Sequence, residues 1–176
     1  MKFSEIYITE LRQGLLGLAK QTFPTWPDYV VTDWIYKNFK TNMAANQADE
    51  QAAMDWITAT KQRYGQLQWT LEKLKITLDI FDPETQQRIK SRAGGVSNPQ
   101  NIPKDDIRHA QQQQMIQTQG ISKEPIIVYQ SPQGYELIEG YHRTIQNIKE
   151  FPEGYEGPAW VGKGPLGRVS AELGGD

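Results

Sequence analysis

A chain of 176 residues that is 38% hydrophobic and 23% charged, with five Trp, has an ordinary globular make-up and enough apolar content to bury a core. The absence of Cys excludes disulfides, thiolate catalysis and Cys-type zinc sites, and two His are too few for a histidine cage, so any metal here is a hard ion on oxygen ligands. A net charge of −2 argues against general nucleic-acid binding, although a local basic groove stays open. No run approaches the roughly 18 apolar residues of a membrane span. Met1-Lys2-Phe3-Ser4-Glu5 lacks the apolar stretch of a signal peptide, so the expectation is a soluble, cytoplasmic protein with no membrane partner.

In chain order, Ile8, Leu11, Leu15 and Leu18 recur at spacings of three and four, predicting a helix that ends near Phe23-Pro24. Trp26-Pro27-Asp28 reads as the start of a second helix with Pro in its first turn, and Val31, Trp34, Ile35 and Phe39 form its buried stripe. Asn42 to Asn46 is a polar connection, and Asp49 to Tyr64 a third helix with Ala53, Trp56 and Ile57 inward, stopped at Gly65. These helices make a helical N-terminal part over residues 1–72.

Leu74, Ile76, Leu78 and Ile80 alternate with Lys75, Thr77 and Asp79, the period of a strand with one wet face. Asp82-Pro83-Glu84 then caps a short basic helix running through Arg88 and Arg92. A stretch through Gly94-Gly95 and Asn98-Pro99 reads as a surface connection, with a lid as the alternative. Pro103-Lys104-Asp105-Asp106 opens another helix with acids in its first turn, Arg108-His109 one turn in, and Gln111 to Gln114 extending it. Arg108 has Asp105 three residues behind it as an alternative partner.

The stretch from Pro125 to Glu150 carries the chemistry. Ile126 to Tyr129 and Tyr135 to Ile138 flank a Pro/Gly turn and predict a hairpin. After Glu139 the period changes: Tyr141, Ile145 and Ile148 share a helical face entered through Gly140. The first N–H groups of a helix lack intrahelical partners and carry partial positive charge, so anions bind there. His142, Arg143 and the Thr144 hydroxyl add donors at that spot, as phosphate recognition requires. The plainer alternative is a tight turn with Arg143 paired to Glu139 or Glu136. Downstream, Ala159-Trp160-Val161 predicts a short strand closing the sheet, and residues 163–176 a flexible, Gly-rich tail. Lys163 and Arg168 in that tail lack the Walker spacing.

Over Ile102 to Gly162 this pattern, Pro-Ile-Ile-Val followed by Tyr-Glu-Leu-Ile-Glu-Gly-Tyr-His-Arg, resembles the ParB/sulfiredoxin superfamily. Tyr141 stands where sulfiredoxins carry their catalytic Cys, which excludes sulfiredoxin chemistry. Glu139, Gly140, Tyr141, His142 and Arg143 are similar to the Asp-Gly-His-His-Arg of the superfamily's free-serine kinases. That resemblance implies Glu139 and His142 as catalytic residues and Glu139 as a Mg²⁺ ligand or base. It implies a nucleotide such as ATP held by Gly140, Tyr141, His142, Arg143 and Thr144, with Arg108 and His109 lining the pocket. ParB proteins use the same place for CTP. The arrangement also resembles ParB-like "nuclease domain" proteins of bacteriophages, in which case the location is the host cytoplasm, yet no acidic cluster of a two-metal nuclease is present.

The expected fold is therefore α+β: the helical part, then a ParB/sulfiredoxin-like domain over residues 73–162 with a phosphate site at a helix start. The leading functional expectation is a nucleotide-binding, kinase-like phosphotransferase acting on a small-molecule or nucleic-acid substrate. The alternatives are a DNA-associated, nucleotide-gated module with a basic face from Arg88, Lys90 and Arg92, or a structural or host-interaction protein. Oligomeric state is left open.

Overall fold

In the computed structural model, which describes residues 3–39, 50–93 and 102–168, the chain is α+β, with helices and one four-stranded mixed sheet. It divides into two compact units, one formed by residues 1–69 with 164–176, the other by residues 70–163.

The first unit contains α1 (Phe3–Thr22), α2 (28–39) and α3 (Glu50–Tyr64). The stripe Val31, Trp34, Ile35 and Phe39 is buried, as its spacing predicts, and Val30 joins it. The middle six residues of α2, Val31–Tyr36, wind as a π-helix, so Val30 and Val31 both turn inward. Pro27 precedes the helix as its cap residue instead of occupying the first turn. The core is aromatic: the Trp26 and Trp34 rings stack at 5.6 Å, and Trp69 meets them edge-on at 5.2 and 6.1 Å. Phe23 and Tyr64 close the cluster from either side. The predicted connection Asn42 to Asn46 lies outside the described residues.

The sheet has the order β1-β4-β2-β3, with β1 Gln68–Ile76, β2 Ile126–Ser131, β3 Gly134–Glu139 and β4 Tyr155–Lys163. Two expectations need correcting. The first strand lies earlier than its alternation suggests: β1 stops at Ile76, and Leu78–Ile80 form a 3₁₀ turn. The Thr77 hydroxyl donates to the Asp79 carboxylate there, a local bond that competes with the ladder. The last strand is also not a closing edge. β4 sits between β1 and β2, parallel to β2 from Ile126↔Ala159 to Tyr129↔Gly162, so the parallel ladder begins one residue beyond Pro158, which has no N–H to offer.

The hairpin β2–β3 is antiparallel, as predicted, with a register shift between Ile127 and Val128. Past the 3₁₀ turn, Phe81 bridges Tyr135 and the Asp82 N–H donates to the Tyr135 carbonyl at 3.0 Å, covering the start of the β3 edge. Asp82 then caps α4 (Pro83–Ala93) by accepting from the Thr85 N–H at 2.7 Å, with Pro83 in the first position as the sequence predicts. The Thr85 hydroxyl in turn accepts from the Leu137 N–H at 3.3 Å. These bonds dock α4 against β3. Helix α5 (Ile102–Gln119) precedes the hairpin, and α6 (Tyr141–Glu150) follows it. Ile89 of α4, Ile145 of α6 and Val128, Leu137 and Val161 of the sheet share one buried cluster. Residues 94–101, which include the loop read as a connection or lid, lie outside the described residues.

Candidate functional site

The start of α6 is built by Gly140, whose φ of 100° and ψ of 20° place it in the left-handed region. That conformation turns the chain from strand to helix within one residue, and the Thr144 N–H closes the first helical bond on the Gly140 carbonyl at 2.9 Å. A Cβ at this position would lie 2.8 Å from the Ile126 Cγ2 and 3.3 Å from the Arg143 Nη2. The glycine therefore serves turn geometry and close packing on β2. The side where a Cβ would project is filled by the protein itself.

Tyr141, His142 and Arg143 occupy the first turn, which contains no acid. Tyr141 joins this turn to α4: the Arg92 guanidinium lies 4.8 Å from the centre of its ring. The Tyr141 hydroxyl, and behind it the ion-paired Glu84 carboxylate, raise the pKa of Arg88. Arg88 and Arg92, one turn apart, thus share the α4 face that meets Tyr141. Lys90 sits about 200° around the helix from Arg88, so the basic face expected from Arg88, Lys90 and Arg92 is split between two sides of α4.

Arg143 points back into the fold. Its Nη1 pairs with the Glu124 carboxylate and its Nη2 donates to the Pro125 carbonyl at 3.0 Å, leaving the side chain only 15% exposed. Glu124, which the sequence did not point to, is thus a partner of Arg143. Thr144 is fully buried, on the inward face of α6 beside Ile145. His142 is half-buried in the first turn, and Glu139 is the half-buried last residue of β3, opposite Ile127 beside the register shift. Arg108 and His109 fall on α5, but their side chains lie outside the described set. Among the described residues no group of three His, Asp or Glu side chains converges to hold a metal. A Mg²⁺ at Glu139 would thus take its other ligands from waters and phosphate oxygens.

Residues that the motif did not point to complete this region. Asn147, one turn beyond Arg143, and Tyr155 at the head of β4 are buried beside Arg143 and Glu124 and line a recess of about 10 Å³. The i, i+4 spacing of Arg143 and Asn147 was a signal available in the sequence; the contribution of Tyr155 depends on β4 lying inside the sheet. Burial pushes the Tyr155 hydroxyl above the usual tyrosine range, an effect partly offset by Asn147, Thr144 and the Arg143 charge. Compared with family models, curated proteins and solved structures, the chain finds no match.

Proposed function

We propose that this protein binds a nucleotide through its phosphates at the start of α6. The observation that carries the reading is the convergence at Tyr141: an acid-free first turn of a ten-residue helix, reached through a left-handed glycine, with Arg88 and Arg92 drawn alongside it from α4. Backbone N–H groups, helix dipole and guanidinium donors at one place are the chemistry that phosphate recognition uses. The resemblance to the ParB/sulfiredoxin superfamily points to the same element. Calorimetry of the full chain with ATP, ADP, CTP and inorganic pyrophosphate tests it. Binding is expected, and Arg92→Glu should weaken it by roughly one to two orders of magnitude, the worth of a charge-assisted contact of about 1.5–3 kcal/mol. Failure of all four ligands to bind rejects the reading.

A phosphotransferase reading rests on Glu139, which immediately precedes Gly140 at an irregular point of the hairpin, where a bulge re-aims side chains. A carboxylate there is suited to holding a phosphate-bound Mg²⁺ or accepting the acceptor's proton. Glu139→Gln should then abolish turnover of ATP while leaving its affinity within a few-fold of the parent.

A further inference from the structure

The recess beneath Arg143 gathers more polar atoms than the protein itself satisfies. The Tyr155 hydroxyl, the Asn147 Oδ1, the Thr144 Oγ1 and the Arg143 Nε are all buried and make no hydrogen bond with other protein atoms. Tyr155 lies close enough to Asn147 and Thr144 for both to influence its ionisation, yet outside hydrogen-bonding geometry with either. Their residues are 6%, 3% and 0% exposed, so bulk water does not serve them. A buried polar group left alone is costly, and native folds satisfy such groups with protein or with internal water. Three of these groups, on Tyr155, Asn147 and Arg143, line the same recess and call for a shared partner.

We propose that this recess is a structural water site, in which one water molecule bridges Tyr155, Asn147 and Arg143. Size and polarity both select water. The recess of about 10 Å³ has room for a single water. The groups are matched to an oxygen that donates and accepts: Asn147 Oδ1 only accepts, the Arg143 Nε–H only donates, and the Tyr155 hydroxyl does either. An anion has nothing to donate to Asn147 Oδ1, and an ammonium ion has nothing to accept from Arg143. The bound water takes the Arg143 Nε–H, alongside Glu124 on Nη1 and the Pro125 carbonyl on Nη2, and fixes Arg143 in position. It thereby ties the first turn of α6 to the head of β4. The site does not depend on nucleotide binding.

A high-resolution crystal structure of the full chain, with thermal melts of the parent and Tyr155→Phe, tests the proposal. The expected result is a solvent peak within hydrogen-bond reach of Tyr155, Asn147 and Arg143, together with a melting temperature about 4–8 °C lower in Tyr155→Phe. A direct Tyr155–Asn147 hydrogen bond with no solvent peak overturns the proposal. So does a Tyr155→Phe protein that melts at or above the parent temperature, the sign expected for deletion of a hydroxyl that had no partner.

Discussion

Gly140 and Arg143 lie three residues apart, and the sequence revealed one far better than the other. The glycine was legible because the apolar period changes from two to between three and four across it, and only a left-handed residue makes that change without a loop. The partner of Arg143 was not legible: Glu124 precedes it by 19 residues, whereas Glu136 and Glu139 lie nearer in sequence. Likewise the inward turn of Thr144 follows from how α6 packs on the sheet, which a motif does not encode. Gly140→Ala should cost about 1–3 kcal/mol, since it combines a strained φ with a Cβ only 2.8 Å from Ile126. Gly14→Ala, in an exposed helical position with no atom within 4 Å of the added carbon, should instead stabilise by roughly 0.5–1 kcal/mol. Urea unfolding of both variants reads the contrast, and equal effects would show that Gly140 is not required by its conformation.

At the scale of elements, most helices and the hairpin were legible because each carries its own periodicity and punctuation. Strand β1 was misplaced because Leu74, Ile76, Leu78 and Ile80 keep an alternation that a local Thr77–Asp79 bond interrupts. The central position of β4 was hidden for another reason: a parallel pairing joins segments far apart in sequence and leaves no turn signature between them. Across β1 and β4, Lys73 pairs with Glu156 and Lys163 with Glu72 on wet positions. The Lys163 ammonium and the Thr70 hydroxyl hold Glu72 below the usual carboxylate range, and Lys73 does the same for Glu156. A depressed folded pKa gives stability that is present above the unfolded carboxylate value of about 4.3 and lost as pH falls through the folded one. The urea midpoint of the parent should therefore decline below that pH more steeply than that of a Lys73→Met/Lys163→Met protein. Because the pairs are solvent-accessible, added salt should narrow the difference. Parallel pH profiles for the two proteins would show that these pairs contribute nothing to the sheet.

At the scale of the whole molecule, the two units carry different cores. Trp26, Trp34 and Trp69 form the centre of one, whereas Ile89, Val128, Leu137 and Ile145 form that of the other. The first unit is closed by a distant part of the chain, since the Gly167 N–H donates to the Arg63 carbonyl at 2.7 Å. That contact holds Gly167 of the expected flexible tail against the end of α3, and nothing in the Gly-rich composition around it announced this. Trp34, like Trp26, meets three rings among the described residues: it stacks on Trp26 and meets Tyr64 and Trp69 edge-on at 5.1 and 6.1 Å, while being only 6% exposed. Trp34→Ala should therefore cost about 3–5 kcal/mol, the sum of lost transfer energy and the cavity left behind. With separate cores, that loss should fall on the helical unit alone. Methyl NMR provides the reading: signals from Ile57 and Val31 should collapse towards random-coil positions at a lower temperature than in the parent. Those of Val128, Leu137 and Ile145 should melt where they did before. If both sets melt together in Trp34→Ala, the molecule unfolds as one cooperative body and the division into two cores has no thermodynamic meaning.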